Sequence, residues 1–193
     1  MSSLDDLTHS DLMTAGWDAM DRRDYDDAFP IFMALRASGD TDVFNVLGWM
    51  LENGEGCEKN LNDAVEMFRM SAEQGSQYGL IGLGDLLVDR GDFAEARLAF
   101  EQGVAKGHVL SIARLGKLLT NEGNTSEAKQ RGLSLLNAAA SKGQVMAKRT
   151  LLGLELAATK STIGKATIWF QILWLSLSTF RAFSRDPHSE RFQ

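Results

Sequence analysis

Apolar residues in this chain recur at spacings of three and four, in short blocks closed by glycine. In DVFNVLGWML, Val43, Leu47 and Leu51 stand four apart and share one face of a helix. In the next block Ala64, Met67, Phe68 and Ala72 form a similar stripe, with Asn60 where an N-cap is wanted and Gly75 where a helix should end. The spacing predicts helix, turn, helix, turn. One such pair cannot bury its own apolar stripe, so neighbouring pairs must stack.

The unit repeats. Terminating glycines stand at Gly39, Gly75, Gly107 and Gly143, separated by 36, 32 and 36 residues. Eleven residues before each is a small residue: Ala28, Ala64, Ala96 or Gly132. Three and four positions after those come Ile31 and Phe32, Met67 and Phe68, Ala99 and Phe100, Leu135 and Leu136. Nine residues after the terminators come Gly48, Gly84, Gly116 and Leu152, each preceded by leucine, and Gly16 fits the same slot in the first unit. Gly16 to Ala28 and Gly84 to Ala96 span twelve residues, whereas Gly48 to Ala64 and Gly116 to Gly132 span sixteen. Short and long units alternate, and the added residues fall in a loop that absorbs them cheaply.

The run Leu47-Gly48, then LENGEGCEKNLNDAVEMF and SAEQG, resembles the Sel-one-like repeat, a relative of the tetratricopeptide repeat. Leu51 stands in its tyrosine slot, Gly54 and Gly56 in its paired glycine slots, Cys57 in its valine slot and Asn60 in its aspartate slot. The short units, RDYDDAF at 23–29 and GDFAEAR at 91–97, look more like tetratricopeptide repeats themselves. The likeness covers about residues 11–155, with the second unit matching most closely; the fourth departs from it, carrying Glu122 and Asn124 in the glycine slots. The resemblance implies an all-α, right-handed alpha-alpha superhelical solenoid of four to five helix pairs. It also implies a protein-protein scaffold.

Composition agrees with helix. Alanine, leucine, glutamate and methionine are plentiful, and the two prolines, Pro30 and Pro187, lie far apart. A single cysteine, Cys57, excludes an intramolecular disulfide and is consistent with a reducing compartment. The acidic start, MSSLDDLTHSDLM, reads neither as a secretory signal nor as a transit peptide, which makes the cytoplasm the default address.

Catalytic chemistry finds little support. The GEG of residues 54–56 sits between two predicted helices and lacks the strand before it and the GK[ST] ending of a phosphate loop, so it reads as a bend. His9, His108 and His188 have no zinc-motif spacing among them or with Cys57, so no metal site and no cofactor are expected. Cys57 reads as a small packed hydrophobe and His108 as a cap or a solvent-facing residue. Acid pairs such as Asp5-Asp6 and Asp26-Asp27 precede helical stretches, where they favour the helix dipole. No nucleophile, base and orienting group can be assembled, and the chain is read as a non-enzyme.

The net charge of -6 is uneven: residues 148–193 carry +4 and the first 147 carry -10. An acidic body argues against nucleic acid, which needs a basic face. A protein partner held on the concave face is expected instead, since the first helix of each pair lines that face in related solenoids. The slot after the inner glycine holds Trp49, Asp85 and Lys117, with Trp17 equivalent in the first unit, and Asn45, Arg114 and Arg149 lie beside it. Asn45, Trp49, Asp85, Arg114, Lys117 and Arg149 are therefore the candidate protein-binding residues. Trp49 reads equally as an anchor for a partner and as groove filling; packing is favoured for Trp17.

Beyond residue 160 the repeat fails. The stretch ATIWFQILWLSLSTF, 166–180, has no charge and is apolar all round a helical wheel. It would span about 22 Å as a helix, short of the roughly 30 Å of hydrocarbon in a bilayer. Three readings stay open: a cap on the last repeat, a membrane segment through 161–183 that would tether the scaffold to an envelope assembly, or a helix that docks on a partner or a second copy of the chain. Trp169 and Trp174 are too close in sequence to form the two aromatic belts of one span. The organisation expected is a lead-in at 1–10, repeats at 11–160, a hydrophobic helix at 161–183 and a polar tail at 184–193.

Overall fold

The computed structural model describes residues 7–185, with side chains described for 7–178; the Asp5-Asp6 pair and most of the polar tail lie outside that range. Ten helices account for the described residues: α1 (His9–Arg22), α2 (Tyr25–Ala37), α3 (Phe44–Asn53), α4 (Leu61–Glu73), α5 (Gln77–Arg90), α6 (Phe93–Ala105), α7 (Val109–Glu122), α8 (Ser126–Ser141), α9 (Val145–Ala158) and α10 (Thr162–Arg185). No strand occurs among the described residues. The chain divides into two compact units, Met1–Ser111 and Ile112–Gln193, with the division in the first turn of α7.

Local chemistry sets the helix ends. Thr8 caps α1 with a reciprocal capping box to Asp11, and Asn60 caps α4 by accepting from the backbone N–H groups of Asn62 and Asp63. Ser76 and Thr125 cap α5 and α8 in the same way. Gly39, Gly75, Gly107 and Gly143, the four terminators read from the sequence, have φ of 91°, 84°, 79° and 89°. Only a residue without Cβ enters that left-handed region freely, so the repeat period is written at these turns.

In the first unit consecutive helices pack on one another from α1 to α6, and α3 also touches α5. A glycine on the first helix of each pair receives a large side chain from the second. A Cβ on Gly16 would come 3.1 Å from the Phe32 ring, and one on Gly48 would come 2.8 Å from Phe68. Gly84 admits the Phe100 ring more closely still. The rings so seated are almost wholly buried, Phe32 at 0 %, Phe68 at 4 % and Phe100 at 1 % exposure, each stabilising the stack by roughly 2–3 kcal/mol. Phe68 is held from the other side by Gly82 of α5, which joins one pair to the next.

The second unit repeats the device once: Gly116 of α7 faces Leu136 and the backbone of Gly132 on α8. Its core then thins. Ala147 is the buried residue of α9, and Ile168 is the buried large apolar residue of the described part of α10. Leu152 occupies the glycine slot of this last pair, and a leucine cannot admit a facing side chain as glycine does. It lines an open, mainly apolar cleft of about 710 Å³ between α9 and α10, with Leu151, Phe170, Trp174 and Leu175.

Candidate functional site

The six candidate residues divide three and three. Asn45, Trp49 and Asp85 belong to the first unit, and Arg114, Lys117 and Arg149 to the second. On α3, Asn45, Trp49 and Glu52 follow one another at four and three residues and share one face. Trp49 is 36 % exposed, and its ring meets the Tyr25 ring edge-on with centroids 5.7 Å apart. The indole is thus held against Tyr25 while about a third of the residue stays open to solvent. Trp17, its equivalent on α1, packs edge-on against Phe32 at 5.2 Å as part of the core lining.

Asp85 is half-buried on α5, with Asp89 one turn on. Folding brings both close to Glu52 of α3. Burial pushes the Glu52 carboxyl up from the ordinary glutamate range; Asp85 and then Asp89 push it further, and Lys59 partly relieves it. This acidic patch was only partly legible in the sequence, where Asp85 stood out by its slot but Glu52 and Asp89 did not. Among the described residues no group of three or more His, Cys, Asp or Glu is placed to hold a metal ion.

In the second unit Lys117 and Arg149 are exposed on α7 and α9. Arg114 is half-buried, and its Nη1 donates to the Met146 sulfur at 2.7 Å, tying α7 to α9. That engagement gives Arg114 a packing role beside the surface role read from the sequence. The candidates of the first unit are an amide, an aromatic and an acid, and those of the second are basic.

Cys57 is half-buried, its Sγ 3.7 Å from the Met50 carbonyl oxygen, and burial pushes its thiol up, away from the thiolate a nucleophile needs. His108 stands immediately before α7, where a cap would sit, and is half-buried, with its Nδ1 shielded near the point where Gly103 of α6 lets Ser111 approach. The GEG bend has a packing reason. Gly56 has φ of 70°, and any Cβ there would run into the backbone carbonyl of Tyr25 at the start of α2. Among the described residues no helix is long and apolar enough to cross a membrane.

Comparison of the fold with solved structures finds Sel1 repeats. A Sel1 repeat protein from Oxalobacter formigenes is 20 % identical and superposes with a TM-score of 0.66, over 86 % of this chain and 71 % of that one. A protective antigen of uropathogenic Escherichia coli with an SLR fold is 21 % identical at a TM-score of 0.65; 93 % of this chain is covered, but only 42 % of the antigen. No family model matches the sequence, and no curated protein matches it. The chain has the helical-repeat fold of Sel1 repeat proteins.

Proposed function

We propose that this protein is a non-catalytic scaffold that binds a partner protein along the first helices of its repeat pairs, in the cytoplasm. The observation that carries this reading is Trp49: a large aromatic left 36 % exposed and clamped on one edge by Tyr25, on the same face as Asn45 and Glu52. A rigid, partly desolvated aromatic is the side chain that most often anchors an interface. Beside it, burial raises the Glu52 carboxyl, and repulsion from Asp85 and then Asp89 raises it further. A partner bringing a lysine or arginine next to an apolar contact would relieve that repulsion and fill the exposed indole face at once. The partner chemistry that fits the first unit is therefore a basic segment with an apolar anchor. Lys117 and Arg149 of the second unit fit acidic groups.

The test compares proteins captured by the wild-type chain, by Trp49→Ala and by Leu98→Ala, which truncates a leucine 55 % exposed on α6. Trp49→Ala should lose the specific partner while keeping its helical signal, and Leu98→Ala should keep the partner. Capture unaffected by Trp49→Ala would remove the α3 face from the reading, as would a collapse of thermal stability in that variant.

A further inference from the structure

Helix α10 packs one side against its own unit and leaves the other in water. Ile168 is 5 % exposed and faces inward, with Ile172 and Leu175 half-buried on the same side of the helix. On the opposite side Ile163, Leu173 and Leu177 are 81 %, 55 % and 55 % exposed; Phe170 and Trp174, which also line the open cleft with α9, are 73 % and 70 % exposed, and Trp169 is 61 % exposed. The three rings alone leave roughly 300–500 Å² in water, given the 150–250 Å² such rings can bury. That already matches the roughly 300–600 Å² of the largest apolar patch on a typical monomer, before the aliphatic residues are counted.

The charges around the patch say what covers it. No acidic residue occurs between Glu155 and Asp186, while Lys160, Lys165, Arg181 and Arg185 flank the uncharged stretch at both ends. The first unit is acidic, with 8 Lys or Arg against 21 Asp or Glu in residues 1–111, whereas residues 112–154 are basic, with 7 against 2. A second copy pairing through α10 would set Lys165 against Arg181 in an antiparallel arrangement, or against itself in a parallel one, and like charges oppose either. A surface that is negative along its whole length and apolar beneath meets both features. We propose that α10 lies flat in the interface of an anionic membrane, its exposed stripe among the headgroups and upper acyl chains and the exposed Lys160 and Lys165 on the lipid phosphates. The helix does not span: among the described residues none is long and apolar enough to cross. Its 24 residues cover roughly 36 Å of surface, and insertion of roughly 5–10 Å suffices for a helix in this setting. Trp169 and Trp174 fit the headgroup level, where an indole keeps its N–H wet and its ring buried.

The test is flotation of the full chain with vesicles of phosphatidylcholine alone or mixed with phosphatidylglycerol. The chain should float with the anionic vesicles and weakly or not at all with the neutral ones, and high salt should release it. Trp169→Glu combined with Leu173→Glu, two exposed positions away from the cleft with α9, should cut binding at least tenfold with the circular dichroism unchanged. Lys165→Gln should cost about fivefold. Equal flotation with neutral vesicles, or binding indifferent to the glutamate pair, overturns the proposal. So does a chain that stays with the soluble fraction, whether as a monomer or as a dimer that Leu173→Glu dissociates; the dimer would assign the stripe to a second copy.

Discussion

Replacing Gly84 with alanine sets two opposed effects against each other. Alanine is the better helix former, by about 1 kcal/mol. At position 84, however, its Cβ would lie 2.6 Å from Phe100 Cζ and 2.8 Å from Cδ1, where ordinary contacts begin near 3.4 Å. The ring is 1 % exposed and has no open space into which to swing. Overpacking of a rigid core costs roughly 1–3 kcal/mol, and contact with several atoms of one ring places this case in the upper half. The net expectation is a loss of about 1–2 kcal/mol, or roughly 2–8 °C in Tm for a chain of this length. Gly153→Ala supplies the contrast: it makes the same change inside α9, where an added Cβ meets nothing within 4 Å, and should stabilise by up to about 1 kcal/mol. Urea and thermal unfolding followed by far-UV circular dichroism read both. Phe100→Leu should cost less in the Gly84→Ala background than in the wild type, a coupling of at least about 0.5 kcal/mol. If the two alanine substitutions shift stability in the same direction, or if Gly84→Ala and Phe100→Leu are additive, the ring-on-glycine packing does not hold the pair together.

Three further outcomes are expected. Because the Glu52 carboxyl is raised in the fold, the folded state binds more protons than the unfolded one; the stability this confers is present below the ordinary value of 4.5 and is lost as pH rises through the raised value. Glu52→Gln should therefore exceed the wild type in Tm near about pH 7 and lose that advantage near about pH 4, and parallel curves would dismiss the acidic patch. Gly56→Ala should destabilise more than Gly39→Ala, since both positions have positive φ but only the Gly56 Cβ would strike a neighbour, the Tyr25 carbonyl. Equal melting temperatures would count against that contact. Cys57 should react with iodoacetamide more slowly than free cysteine at neutral pH and at the ordinary rate in urea, because burial raises its thiol further and lowers its small thiolate fraction; rapid labelling of the folded chain would contradict this.

The fold was legible because its information is local and periodic. Each glycine terminator, each N-cap such as Asn60 and each small residue facing a ring can be read within one unit, and four units in register reinforce one another. The candidate site was legible only in part. Trp49 and Asp85 stood out by slot, whereas the patch of Glu52, Asp85 and Asp89 exists only once α3 packs on α5. The side chain of His108 illustrates the same limit, since its burial depends on a close approach at Gly103. Helix α10 was opaque for another reason: a stripe that is apolar all round a wheel carries no direction. Its buried side, at Ile168, exists only once α10 packs on α9, so it could not be read from α10 itself.

The division of labour inside each first helix explains why its outer face can change character along the chain. The inner glycine at 48, 84 or 116 is committed to a side chain of the following helix, and the leucine before it is buried at 0 %, 7 % or 0 % exposure. The next residue is turned about 100° further round the helix. It therefore escapes the core line. Trp49 is partly open there, Asp85 half-buried and Lys117 exposed. An aromatic, an acid and a base follow in equivalent places, each after a glycine packed against a large side chain of the following helix. The close packing at the glycine and the leucine does not extend to the following position, which differs in chemistry along the chain.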